Sequence, residues 1–73
     1  MIIKDQANAV RAMREMCGAS SDMEVEKKTG ISRFVISQLR HGKAWFGFSV
    51  LYKLACYTDL PMSEIKRRLT DGI

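Results

Sequence analysis

The chain has 73 residues, 47% of them hydrophobic and 27% charged, which is the composition of one small globular domain and not of a disordered tail. At this length folding buries only roughly 60% of the surface that the unfolded chain exposes, which excludes an active-site domain beside a separate scaffold. The formal net charge of +4 and the pI of about 9.4 favour a polyanionic partner.

A first helix is predicted over Asp5 to Cys17, with Asp5 as its cap and Gly18 as its stop. Apolar residues recur there at three- and four-residue spacing and form one stripe that faces the core: Ala9, Val10, Met13, Met16 and Cys17. Neither Cys17 nor Cys56 belongs to a Cys/His cluster. We therefore expect two buried free thiols in a reducing compartment.

A second helix is predicted from about Asp22 to Thr29. Ser21 and Glu24 have the spacing of a capping box at its start. Met23 and Val25 are its apolar members.

The chain is expected to turn sharply after the second helix. Gly30 can adopt the positive φ that ends a helix, and Ser32 can cap a third helix over about residues 32–41. Ile31, Ile36 and Leu39 fall on the inner side of that helix. This leaves a polar and cationic side directed away from the core: Arg33, Phe34, Ser37, Gln38 and Arg40.

The loop after the third helix carries two large aromatic residues. Gly42 closes the helix, Lys43 follows it, and Trp45 and Phe46 lie between Gly42 and the next glycine. Either one or both aromatic side chains fold back onto the core, or they form an exposed patch for a partner. Trp45 and Phe46 are therefore candidates for a dimer interface, and the last helix is the other candidate.

Two more helices complete the predicted fold. Helical spacing of Phe48, Leu51, Leu54 and Ala55 predicts a fourth helix over Phe48 to Tyr57. Pro61 precedes a fifth helix over about Met62 to Thr70 whose inner residues are Met62, Ile65 and Leu69. No segment alternates with period two, so the prediction is an all-α, five-helix single domain over residues 1–73.

Acidic residues are absent from the middle of the chain. All eight of them lie outside the span from Lys27 to Thr58. Six cations lie inside this span: Lys27, Lys28, Arg33, Arg40, Lys43 and Lys53. A cationic span of this kind that contains an exposed helix is typical of a surface that binds nucleic acid.

Five short helices with a Gly-Ile-Ser turn between the second and third resemble the helix-turn-helix DNA-binding domains of the lambda repressor and Cro group. The specific part of the resemblance is the segment from Glu26 to Lys43, "EKKTGISRFVISQLRHGK". The chain departs from the family at Glu26, where a small residue is usual, and at Asp22, where an amide often contacts phosphate.

The resemblance implies that the third helix enters the major groove of double-stranded DNA. The expected base contacts are Arg33, Phe34, Ser37 and Gln38, and the expected phosphate contacts are Ser32, Arg40, His41, Lys43 and Lys28. An arginine can form two hydrogen bonds with guanine, a glutamine can do so with adenine, and a phenylalanine can contact a thymine methyl group.

The predicted function is a sequence-specific transcriptional regulator of the phage Cro-repressor type, which binds a palindromic operator as a homodimer in the cytoplasm. The alternative is a protein-interaction module, an antirepressor or antitoxin, that binds a protein through Trp45 and Phe46. An enzyme is not expected, because His41 has no carboxylate or nucleophile at a convincing spacing. We also expect no metal, cofactor, small-molecule ligand or membrane segment.

Overall fold

The computed structural model describes residues 3–71, and these form five α-helices with no strand among them. The helices are α1 (Gln6–Cys17), α2 (Asp22–Thr29), α3 (Arg33–Arg40), α4 (Phe48–Thr58) and α5 (Met62–Asp71). The predicted all-helical, five-helix class is confirmed. The principal-axis extents are 26 × 26 × 20 Å, so the helices pack around one centre.

Three side chains cap the first three helices as their sequences predict. Asp5 accepts a hydrogen bond from the Asn8 N–H at 3.0 Å and begins α1. Ser21 and Ser32 accept in the same way at the starts of α2 and α3, at 3.2 and 3.1 Å. These bonds satisfy N–H groups that have no partner inside the helix, which fixes where each helix begins.

The core lies between α1 and the other helices, and α1 packs against all four of them. Residues from every helix and from two loops are buried in one cluster, whose fully buried larger members include Met13, Ile36, Leu54 and Ile65. The Gln6 side chain adds a polar tie, since its amide nitrogen donates to the carbonyl oxygens of Leu39 and Ala44 at 3.0 and 2.8 Å. This tie holds the start of α1 against the end of α3.

The structure corrects the prediction for two apolar side chains, Phe48 and Cys56. Phe48, expected to face the core, is 72% exposed, because Phe46 in the preceding loop fills the core beside the start of α4. Cys56 is exposed on the outer side of α4, whereas Cys17 is buried. Met23 is also exposed, so Val25 is the buried residue of α2.

No helix within residues 3–71 combines the length and the apolar composition that a membrane crossing requires.

Candidate nucleic-acid interface

Residues 29–33 connect α2 to α3 in a tight turn, called the α2–α3 corner below. Gly30 ends α2 with φ at 83°, a value that favours glycine, and its N–H donates to the Glu26 carbonyl at 2.8 Å. The Thr29 hydroxyl donates to the Val25 carbonyl and accepts from the Ile31 N–H. The Ile31 side chain is buried, so the corner itself contributes one residue to the core.

An ion pair joins the first residue of α2 to the last residue of α3. Both terminal nitrogens of Arg40 donate to the carboxylate of Asp22, at 2.8 and 2.7 Å. Hydrogen bonding to Arg40 holds the pKa of Asp22 below its ordinary value, against the opposing effect of partial burial, and raises the pKa of Arg40. The negative charge of Asp22, unfavourable for a phosphate contact, is therefore compensated within the protein.

A second ion pair spans the α2–α3 corner itself. The Glu26 carboxylate lies 2.8 Å from Nε of Arg33 and accepts the backbone N–H of the same residue at 3.3 Å. The unusual acid of α2 therefore supplements the Ser32 cap at the start of α3, where a negative charge is also favoured by the helix dipole. Since the contact engages Nε, the far edge of the guanidinium points toward solvent with 56% of the side chain exposed.

The four predicted base-contacting residues lie on one outward side of α3. Arg33 and Phe34 are exposed, with 70% of Phe34 in solvent, and Ser37 and Gln38 are half-buried one turn later. Phe34, Ser37 and Gln38 follow Arg33 by one, four and five residues. This spacing places the four side chains next to one another on two successive turns of the helix. Ile36 and Leu39 on the opposite side are fully buried, so the predicted inner side of α3 is confirmed.

The predicted phosphate-contacting residues fall into two groups. Ser32 and Lys43 are exposed at the two ends of α3, although the Ser32 hydroxyl already caps the helix. Arg40, His41 and Lys28 have partners within the protein: Arg40 binds Asp22, a ring nitrogen of His41 lies 2.8 Å from the Ser37 carbonyl, and Lys28 donates to two carbonyls at the end of α1. Their contacts with phosphate stay predictions.

Two residues near the corner were missed or misjudged from the sequence. Lys53 on α4 reaches the corner, where its ammonium donates to the Gly30 carbonyl at 3.4 Å. Lys53 and Gly30 are far apart in the chain and no local pattern connects them. For Glu26, the signal was an acid seven residues before an arginine across a predicted turn, which suits an ion pair between two helices.

The structure separates the two aromatic residues of the loop after α3. Phe46 packs into the core with 7% of its surface exposed, whereas Trp45 is 87% exposed. Phe46 is thus a core residue and is not available to a dimer partner, which corrects its candidacy for an interface. Trp45 remains a candidate together with Phe48, whose exposure the sequence did not reveal.

Comparison of the chain with known protein families, characterised proteins and solved structures finds no match. Within residues 3–71, no three His, Cys, Asp or Glu side chains are grouped so that they could hold one metal ion. The α3 surface offers one guanidinium, one amide, one aromatic ring and two hydroxyl groups, those of Arg33, Gln38, Phe34, Ser32 and Ser37.

Proposed function

We propose that this protein is a sequence-specific transcriptional regulator that binds double-stranded DNA, with α2 and α3 as its helix-turn-helix and α3 in the major groove. The observation that carries the proposal is the outward side of α3, where Glu26 holds Arg33 in place and Phe34 lies in solvent beside it. The guanidinium of Arg33 suits the edge of a base and the exposed ring of Phe34 suits a thymine methyl group, because both side chains gain a partner in the major groove.

Each residue on this side has a defined task in the proposal. The terminal nitrogens of Arg33 donate to O6 and N7 of a guanine, while its Nε stays with Glu26. Gln38 pairs with an adenine edge, and Phe34 contacts a thymine methyl group. Ser37 lies between Phe34 and Gln38 in the chain, and its hydroxyl group can hydrogen-bond to a purine or a pyrimidine.

Phosphate contacts position the reading helix in this proposal and carry no sequence information. Ser32 at the start of α3 and Lys43 past its end are both exposed, so the hydroxyl and the ammonium group can each donate to a phosphate at one end of the reading helix. Arg40, His41 and Lys28 contribute positive charge nearby while they keep their contacts within the protein.

One helix of eight residues reads too few base pairs to find a single site in a genome, so the protein acts as a homodimer on a palindromic operator. The mode of action is that of a Cro-type phage repressor, which occupies its operator in competition with other proteins. Half-sites are then about one helical turn of DNA apart.

Selection from a random DNA library, followed by fluorescence anisotropy over a range of salt concentrations, tests the proposal. Arg33→Ala is expected to lose discrimination at one base position, by about 1–3 kcal/mol, because the fork to guanine is gone. Lys43→Ala is expected to weaken all sequences alike and to reduce the salt slope by about 1. Failure to enrich any sequence, with binding that does not weaken as salt rises, refutes the proposal.

A second candidate is a protein-interaction module, antirepressor or antitoxin, of the same fold. The exposure of Trp45 favours it, since a tryptophan left in solvent commonly marks a protein contact. The double variant Arg33→Ala, Lys43→Ala separates the candidates: a DNA-binding regulator loses its function with these two changes, and an interaction module keeps its protein partner.

A further inference from the structure

An uncharged aromatic stripe runs along the outer side of α4. Phe48, Tyr52 and Cys56 follow each other at four-residue spacing and are all exposed. The rings of Phe48 and Tyr52 stack on each other with centroids 5.8 Å apart. Helical residues at this spacing share one face, so the stripe is continuous along the helix.

A cavity lies at the far end of this stripe, between α4 and the end of α2. It has a volume of about 360 Å³ and is lined by Lys28, Thr29, Tyr52, Lys53, Cys56 and Tyr57. Two tyrosine rings and the methylene stems of Lys28 and Lys53 give it apolar walls, while the two ammonium groups donate to backbone carbonyls at the end of α1 and in the α2–α3 corner. An aromatic ring suits such a site, because it fills the apolar space between these side chains.

The same face of α4 therefore carries a projecting ring at one end and a cavity for a ring at the other. A two-fold axis that passes through Tyr52 perpendicular to α4 makes two copies of α4 antiparallel and brings each residue opposite the one equally far from the axis. Phe48 lies four residues before Tyr52 and Cys56 four residues after it, so Phe48 of each copy meets the cavity of the other. A self-complementary surface of this kind is what a symmetric dimer requires.

The two rings of the stripe supply part of the area that such a dimer needs. Phe48 and Tyr52 are 72% and 55% exposed. With roughly 150–250 Å² for each aromatic side chain, these two expose about 250 Å² in each copy, or about 500 Å² in a pair. A specific interface of about 1,000 Å² also buries the neighbouring outward residues of α4 and the walls of the cavity.

We infer that α4 is the dimer interface, in which two copies pack antiparallel through Phe48, Tyr52 and Cys56, with Phe48 of each copy seated in the cavity of its partner. The choice of a second copy as the occupant rests on the proposed function, because a reader of palindromic operators works in pairs. The interface differs from both regions that the sequence suggested, since it lies on α4 and leaves out Phe46 and α5.

Sedimentation velocity of the full chain without DNA is the first test. Tyr52→Glu places two like charges at the two-fold axis and is expected to raise the dimer dissociation constant at least about 30-fold, as for a central interface residue. Ser63→Glu adds the same charge at the exposed start of α5, where an acid suits the helix, and is expected to leave the constant unchanged. Matching thermal melts of both variants show that the fold is intact.

Oxidative cross-linking tests the antiparallel alignment. Phe48→Cys places a thiol opposite Cys56 of the second copy but removes the ring that fills the cavity, so mild oxidation at a concentration above the dimer dissociation constant of this variant should give a covalent dimer, and the double variant Phe48→Cys, Cys56→Ser should not. In the unaltered chain the two Cys56 thiols lie about 12 Å apart along the helix axes, too far for a disulfide bond. A disulfide between the two Cys56 residues of the unaltered chain would refute the antiparallel arrangement.

The remaining outcomes separate this inference from the proposed function. A chain that stays monomeric at all concentrations, or a dimer that Tyr52→Glu leaves intact while Ser63→Glu dissociates it, overturns the α4 interface. Either result accompanied by selection of an operator sequence leaves the proposed DNA binding in place. An α4 dimer that selects no DNA sequence supports the interface and refutes the proposed function.

Discussion

The ion pair between Asp22 and Arg40 is expected to stabilise the packing of α2 on α3 by about 1–2 kcal/mol. Its two hydrogen bonds are short, at 2.7 and 2.8 Å, and the two side chains are only 25% and 31% exposed. Fully exposed pairs contribute about 0.2–1 kcal/mol, and breaking a fully buried pair costs about 3–5 kcal/mol. A bidentate pair at this intermediate burial lies between these limits.

A double-mutant cycle with Asp22→Asn, Arg40→Gln and the double variant measures this coupling. Asp22 also stabilises the start of α2 through the helix dipole. This contribution cancels in the cycle, because Asp22→Asn removes it both when Arg40 is present and when it is substituted. Urea denaturation at pH 7 gives the four free energies of unfolding. At about 1–2 kcal/mol, each single variant should lower Tm by roughly 4–16 °C in a domain of this size.

The pH dependence of the coupling provides an independent check. Because the pKa of Asp22 is lowered in the folded protein, the coupling is fully present above the ordinary value of 3.8 and is lost as the pH falls through the lowered value. The pair between Arg67 and Asp71, 3.7 Å apart and 57% exposed on both sides, is the control and should show no measurable coupling. A coupling below about 0.5 kcal/mol for Asp22 and Arg40 at pH 7 would refute the reasoning.

Three further predictions concern the corner and α5. Gly30→Ala should destabilise the fold by about 1–2 kcal/mol through its φ of 83° alone, since a Cβ there meets nothing within 4 Å. Gly47→Ala, with φ at −81°, should be nearly neutral in the same urea titration, and equal losses would contradict this. The Glu26→Gln variant should bind unrelated DNA more tightly because one negative charge is gone, and it should discriminate less at the base that Arg33 reads. Fluorescence anisotropy with matched operator and mismatched DNA measures both effects. Unchanged discrimination would argue against a positioning role for Glu26. Hydrogen bonds from Arg67 and Arg68 lower the pKa of Glu64 from 4.5 to about 2, so the stability it contributes should be lost as the pH falls from about 4.5 to about 2. Thermal melts of Glu64→Gln should show a smaller loss across this range than the unaltered chain, and identical losses would exclude the pair as the cause.

The boundaries of the helices could be predicted from the sequence because their signals are local. Asp5, Ser21 and Ser32 cap within three residues of themselves, and Gly18 and Gly30 end helices where they stand. Each of these effects depends on backbone geometry over one helical turn, so the residues that cause it are close together in the sequence and can be recognised there. The inner side of α3 followed in the same way from the spacing of its apolar residues.

The contacts between helices could not be predicted, because they depend on which side chains meet in three dimensions. Asp22 and Arg40 are 18 residues apart, and no periodic pattern joins them. Phe46 and Phe48 illustrate the same limit for apolar residues. Both are large and lie on either side of one glycine, and only the path of the loop decides which ring enters the core.

The position of α1 has a consequence for synthesis on the ribosome. Gln6 binds carbonyl groups of residues 39 and 44, and α1 also packs against α5 at the opposite end of the chain. Part of the apolar stripe of α1 therefore stays uncovered until α5 has been made, although α2, α3 and α4 cover the rest of it. A nascent chain that stops before Met62 exposes this part of α1, which makes it a better target for proteases and chaperones than the finished fold.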